Sequence, residues 1–121
     1  MSQAADRNTA QAPQVKAKHI LDRLNWGEPA FSILDVRDRS AYNQSRIMGA
    51  LSMPMTELVE RARRSFEADR VLYVYGESDR QTAEAVRQLQ AAGFQQAYGV
   101  EGGLLGWKRM AGPTEGNADA S

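Results

Sequence analysis

The stretch VLYVYGESDRQ, residues 71–81, decides the fold of this chain. Its first five residues form a continuous run of aliphatic and aromatic side chains, which is typical of a strand buried on both faces of a parallel sheet. Ser78 followed by Gln81 resembles a capping box and predicts that a helix begins at Asp79. A strand that runs through a short loop into a helix is the building unit of an α/β domain.

The same alternation of strands and helices continues through most of the chain. Helices are predicted at residues 17–24, 41–44, 56–66, 79–92 and 103–111. Strands are predicted at residues 31–36, 50–53, 71–75 and 96–100. The pattern therefore indicates a single α/β domain with a mostly parallel sheet that helices cover on both faces.

Small and polar residues predominate at both ends of the chain. Residues 1–13 are rich in Ala and Gln, and residues 114–121 are small and polar. Such segments bury too little apolar surface to offset the entropy lost on ordering. We therefore predict a flexible N-terminal tail over residues 1–13, a folded domain over residues 14–113 and a flexible C-terminal tail over residues 114–121.

The composition argues against several kinds of partner and chemistry. The 121 residues suit one domain, and 15 basic against 15 acidic residues give a formal net charge of +0. Without a positive surplus we expect neither nucleic acid nor a membrane as a partner. The chain has no cysteine, and its single histidine, His19, cannot form a multi-histidine site, so we expect no metal and no cofactor. Because no apolar run could span a bilayer and residues 1–14 lack the apolar segment of a secretory signal, we expect a cytoplasmic location.

Two groups of polar residues follow predicted strands. Asp35 and Arg37 stand at the end of one strand, and the loop from Tyr75 to Arg80 follows another. Ligands of parallel α/β sheets bind at the carboxyl ends of the strands, so both groups belong to the candidate site. The N–H groups of such a loop can hold an anion at the start of a helix, and Arg80 would strengthen the attraction. For Asp35 and Arg37 we favour a structural role, in which the two charges pair with each other or cap backbone groups.

Two spaced motifs resemble the signatures of the rhodanese homology domain. They comprise residues 34–37, 42, 47, 49–50 and 53–54 in the first half, and residues 75–80, 91–94, 102–103, 107 and 112–113 in the second. The resemblance covers residues 14–113 and implies a five-stranded parallel sheet, with residues 71–74 at its centre and helices on both faces. It also implies a chemistry, because active members of that family transfer a sulfane sulfur from thiosulfate or a similar donor through a cysteine persulfide.

The chain departs from that family at the residue on which the chemistry depends. One alignment places Tyr75 at the cysteine position, and a loop shorter by one residue places Gly76 there. Neither residue can hold a persulfide, and a phenol with a pKa of about 10 is almost fully protonated at neutral pH. Glu77 and Asp79 add negative charge where the family's loop attracts an anion. In the first motif, Ser45-Arg46 replaces the family's usual Gly-His pair.

These departures lead to three hypotheses about function. The first is a catalytically silent rhodanese-like module that binds another protein through its former active-site face, or through a basic helix with Arg61, Arg63 and Arg64. The alternative is a sulfurtransferase-type or phosphatase-like enzyme that uses a site without cysteine, and a third is a small-molecule binding domain with an emptied pocket. Under the first hypothesis there is no catalytic residue, and the vestigial loop consists of Tyr75, Gly76, Glu77, Ser78, Asp79 and Arg80.

Overall fold

The structure, a computed structural model, describes residues 12–27 and 30–117. The predictions made above for residues 1–11 and 118–121 lie outside these described residues. The helices of this part of the chain are α1 (Ala17–Asn25), α2 (Arg39–Gln44), α3 (Leu58–Ser65), α4 (Asp79–Ala91) and α5 (Gly103–Arg109). The strands are β1 (Gln14–Val15), β2 (Phe31–Asp35), β3 (Arg46–Ile47), β4 (Leu51–Ser52), β5 (Val71–Tyr75), β6 (Ala97–Val100) and β7 (Thr114–Glu115).

Five of the strands form one parallel sheet in the order β1-β6-β5-β2-β4. Strand β5 lies in the middle, and its Val74 is opposite Leu34 of β2 and Gly99 of β6. The prediction of a five-stranded parallel sheet with residues 71–74 at its centre is therefore confirmed. Strand β1, which pairs with β6, was not predicted, because two residues are too few to show an alternating pattern.

Side chains on β5 alternate between two hydrophobic cores. Leu72 and Val74 enter one core with residues of α3 and α4, whereas Tyr73 and Tyr75 enter the other with residues of α1 and α5. This alternation follows from the period of two along a strand. The sheet therefore carries helices on both faces, as predicted. Helix α3 begins later than the predicted Thr56, because residues 54–57 form a turn in which the Glu57 N–H donates to the Pro54 carbonyl (2.8 Å).

A C-terminal segment continues the ordered structure past the last helix. Strand β7 pairs antiparallel with β3. Just before it, the Pro113 carbonyl accepts hydrogen bonds from the Trp107 indole N–H (2.8 Å) and the Met48 N–H (3.1 Å). The Glu115 carboxylate accepts another from the Gly49 N–H (3.2 Å). Regular structure thus extends beyond residue 113, where the sequence predicted a flexible tail. The segment is held because it accepts hydrogen bonds from the Met48 and Gly49 N–H groups, between β3 and β4.

No helix in residues 12–27 and 30–117 has the length and apolar character needed to cross a lipid bilayer.

We expect the substitution Val74→Asp to unfold the domain. Val74 is fully buried at the centre of the sheet. An unpaired buried charge costs several kcal/mol, which is comparable with a total stability of about 5–15 kcal/mol. Circular dichroism should show loss of the folded spectrum at room temperature. The control Leu24→Asp changes a side chain that is already exposed and should melt within a few degrees of the wild type. Normal melting of Val74→Asp would contradict the central position of β5.

Candidate functional site

A pocket of about 280 Å³ lies at the carboxyl end of β5. It forms between the start of helix α4 and the turn that leads from β6 into α5, at the edge of the sheet where ligands of such folds bind. Its lining residues are Arg37, Gly76, Glu77, Ser78, Asp79, Gly102, Gly103, Leu104 and Leu105. The structure thus brings most of the vestigial loop together with Arg37 from the first motif.

Tyr75 points away from this pocket into the core. Its side chain is fully buried, and its hydroxyl oxygen accepts a hydrogen bond from the Ile47 N–H (3.1 Å). The Arg37 guanidinium carbon lies 5.4 Å from the centre of the ring. Burial raises the pKa of the Tyr75 phenol, and the charge of Asp35 and a hydrogen bond to it raise the pKa further. The phenol is therefore a neutral core group, and Tyr75 is a strand residue that faces the core.

Gly76 lines the pocket at the carboxyl end of β5. A β-carbon at this position would lie only 2.6 Å from the Oε1 atom of Gln81. The space next to the Gly76 backbone is thus filled by the Gln81 side chain, whose far end is flexible. Because Tyr75 faces the core, the alignment that places Gly76 at the cysteine position fits the structure better than the one with Tyr75.

Side chains of helix α4 accept hydrogen bonds from the backbone N–H groups of Gly76 and Glu77. The Gly76 N–H donates to the Thr82 Oγ1 (2.8 Å), and the Glu77 N–H donates to the Gln81 Oε1 (2.7 Å). The Gln81 N–H in turn donates to the Ser78 Oγ (3.1 Å), which confirms Ser78 as the N-cap and Asp79 as the first helical residue. In a capping box the glutamine would bond to the N–H of the cap residue, whereas here it reaches one residue further back, to Glu77.

The electrostatics of the pocket differ from those of an anion site. The N–H groups of Ser78, Asp79 and Arg80 donate to no acceptor in the described part of the chain and could attract negative charge. However, Glu77 and Asp79 line the pocket, whereas the exposed Arg80 does not. The expected contribution of Arg80 to an anion site is therefore not seen.

Asp35 and Arg37 form a buried ion pair beneath the pocket. The Arg37 Nη2 atom lies 2.7 Å from the Asp35 Oδ2 and 2.6 Å from the Ser45 carbonyl oxygen, to which it also donates. Burial alone would lower the pKa of Arg37, but the hydrogen bonds and charge of Asp35 outweigh burial and raise it. The pair therefore holds the end of β2 against the loop around Ser45, the role that we favoured from the sequence.

The other sequence candidates lie elsewhere or are internally paired. His19 sits on α1, where its ring contacts the ring of Tyr73 (6.0 Å between centroids). On α3, Arg61 and Arg64 form ion pairs with Glu57 and Glu60, so much of the predicted basic helix is neutralised. Among residues 12–27 and 30–117 no group of three or more His, Asp or Glu side chains could hold a metal ion.

Sequence reasoning missed several residues of the site. Thr82 and Gln81 satisfy the loop, and Gly103, Leu104 and Leu105 form the opposite wall of the pocket. Gln81 carried a signal as the partner of Ser78 in the capping pattern, and Gly103 carried one as part of the second motif. The wall residues follow a strand at the same edge of the sheet, and that position could have marked them.

Comparisons with known proteins agree on one family. The family model described as Rhodanese-like domain matches residues 16–110. A crystal structure of the Alr3790 protein from Anabaena sp. is 54% identical, covers 84% of this chain and 91% of that one, and superposes with a TM-score of 0.83. A solution structure of the rhodanese-like domain of the same Anabaena protein is 52% identical, covers 91% of this chain and 83% of that one, and has a TM-score of 0.85.

Curated relatives are more distant and longer. YrkF of Bacillus subtilis, provisionally named a sulfur carrier protein, is 27% identical over 85% of this chain. The centrosomal protein of 41 kDa of Mus musculus is 31% identical over 75% of this chain. The chain spans 55% of the length of the first relative and 27% of the second.

The substitution Tyr75→Phe should change the dependence of stability on pH. Because the folded phenol has a raised pKa, its contribution to stability is complete below the unfolded pKa of about 10 and is lost as the pH rises above it. This loss amounts to at most about 1.4 kcal/mol per pH unit, and it should vanish in Tyr75→Phe. At neutral pH the variant should be less stable by about 1–3 kcal/mol, because the Ile47 N–H loses its acceptor.

Urea denaturation of the wild type and the variant, from neutral pH to well above pH 10, measures both effects. Tyr98→Phe is the matched control, because the Tyr98 hydroxyl bonds to the Gln96 side chain at the surface. An alkaline slope in Tyr75→Phe as steep as that of the wild type would contradict the role of the buried phenol.

Proposed function

Because this chain belongs to the rhodanese-like domain family but has no cysteine, we propose that it is a catalytically silent member that acts as a protein-binding or regulatory module. The observation that carries the proposal is the geometry at Gly76. We infer that this residue replaces the catalytic cysteine, and the Gln81 amide oxygen occupies the space next to it. The loop therefore lacks the sulfur atom, and a side chain at Gly76 would have to displace the flexible end of Gln81.

Other nucleophiles at the site are poorly placed to replace the thiol. The Ser78 hydroxyl already accepts the Gln81 N–H as a helix cap. A serine nucleophile also needs an adjacent base, and the single histidine of the chain lies on α1, in contact with Tyr73. Tyr75 is buried and held in its neutral form. These contacts disfavour a phosphatase-like or sulfurtransferase-type enzyme built on this loop.

The surface around the pocket supports a binding role. The pocket is open, and the Leu105 side chain on its wall is 58% exposed. An exposed apolar side chain beside a pocket is a common feature of binding sites. The names of the relatives are divided between a sulfur carrier and centrosomal proteins, so family membership alone does not select sulfur transfer. On α3, by contrast, two of the three arginines are paired with glutamates, which makes that helix the weaker candidate for the binding face.

A sulfur-transfer assay with loop variants tests the proposal. With thiosulfate and cyanide, the wild type should match the buffer blank. Gly76→Cys alone should gain little activity, because the new side chain must displace Gln81 and because Glu77 and Asp79 raise the pKa of a thiol. The triple variant Gly76→Cys/Glu77→Arg/Asp79→Gly should be at least roughly tenfold more active, since one unit of thiol pKa changes the thiolate population about tenfold.

The matched control combines Gly76→Cys with Glu67→Arg and Asp69→Gly. These two exposed acidic residues precede β5, at the opposite end of the strand, so the net charge changes equally but away from the loop. This control should remain as inactive as Gly76→Cys. Turnover by the purified wild type would refute the silent assignment, and family-like activity in Gly76→Cys alone would show that the loop is still a competent anion cradle.

A further inference from the structure

The carboxylates at the mouth of the pocket form no ion pair with a basic side chain in the described part of the chain. Ion pairs in the described part of the chain engage the carboxylates of Asp22, Asp35, Glu57, Glu60, Glu84 and Glu115. None of these ion pairs involves Glu77 or Asp79, which line the pocket, or Glu101, which precedes the pocket-lining Gly102. All three side chains are on exposed residues. The pocket therefore carries unmatched negative charge at its rim.

The positive groups nearby do not cancel this charge. Arg37 lines the pocket and feels the charge of Glu77, but it is buried and paired with Asp35 at 2.7 Å. Arg80 follows Asp79 but is exposed and does not line the pocket. The start of α4 contributes only about half an elementary charge, shared among its first N–H groups. One of these N–H groups, that of Gln81, already donates a hydrogen bond to the Ser78 hydroxyl. The pocket is thus suited to a cation rather than to the anions that the family's loop holds.

The wall opposite the carboxylates is apolar. Leu104 is half-buried, and Leu105 is more than half exposed on α5. A lysine or arginine side chain has an aliphatic stem that packs on such a wall while its charged end remains at the polar rim. The volume of about 280 Å³ lies just below the range of about 300–1,000 Å³ typical of small-molecule sites, so a single side chain suits it better than a larger ligand.

We propose that this pocket receives a lysine or arginine side chain from a basic and apolar segment of a partner protein. The basic side chain lies between Glu77 and Asp79 with its stem on Leu104, and a neighbouring apolar residue of the segment packs on Leu105. This inference rests on the proposed binding function and specifies the chemistry of the partner. The loss of the cysteine and the acidic rim together convert a site for anions into one for cations.

A peptide titration of the ¹⁵N-labelled full chain tests this inference. The probe is a capped peptide with alternating arginine and leucine residues separated by glycine, and the matched probe replaces each arginine with citrulline, which has nearly the same shape but no charge. With the arginine peptide, chemical-shift changes should concentrate at residues 76–80 and 102–105. The double variant Glu77→Gln/Asp79→Asn should bind about threefold to tenfold more weakly, as expected for two exposed ion pairs. Glu67→Gln/Asp69→Asn, which removes the same charge at the other end of β5, should bind like the wild type.

Several results would overturn the inference. Equal binding of the citrulline peptide, equal weakening in both double variants, shifts outside the pocket, or no binding would each exclude a cation site. Shifts of the same residues with inorganic phosphate at the same concentration would identify an anion site instead. These failures are separate from that of the proposed function, because a silent domain stays at the blank in the sulfur-transfer assay whether or not the peptide binds.

Discussion

The burial of Tyr75 at the end of the central strand constrains everything at the carboxyl edge of the sheet. Its ring lies in the core with Trp107, and its hydroxyl holds the backbone N–H of Ile47. Since strand residues alternate between faces, a core-facing Tyr75 leaves Gly76 as the first residue of the loop. Arg37 lies over the same ring and donates hydrogen bonds to Asp35 and to the Ser45 carbonyl. The ends of β2 and β5 and the segment around β3 therefore meet at the Tyr75 side chain.

Above this support, side chains of α4 hold the loop that follows β5, in a chain without cysteine. In place of a catalytic group, Thr82 and Gln81 bind the first two N–H groups of the loop, and Ser78 caps the helix that follows. A buried N–H without an acceptor costs free energy, so the bond from the Gly76 N–H to Thr82 stabilises the loop. The pocket beside it remains open, with carboxylates on one wall and leucines on the other. This arrangement supports the binding role that we propose.

The sequence predicted the fold well, because the fold rests on long apolar segments and recognisable caps. Residues 71–75 and the Ser78 cap were correct to the residue, whereas the two-residue strands β1, β3 and β7 left no pattern to read. The site was harder to predict from the sequence than the fold. Glu77 and Asp79 could be placed at the pocket, but the contact of Gln81 with Gly76 depends on a side-chain rotamer that sequence does not specify. The direction of the Tyr75 side chain, which favours Gly76 as the position of the missing cysteine, is likewise not specified by the sequence.

Native-state hydrogen exchange at Glu77 tests most directly whether the Gln81 side chain holds the loop in place. The Glu77 N–H donates to Gln81, whereas the neighbouring Gly76 N–H donates to Thr82 and serves as an internal reference. In Gln81→Ala, the account predicts that exchange at Glu77 becomes faster by about tenfold, the equivalent of one hydrogen bond of roughly 1.4 kcal/mol, while exchange at Gly76 is unchanged. Unchanged exchange at Glu77 in the variant, or equal acceleration at both residues, would contradict it.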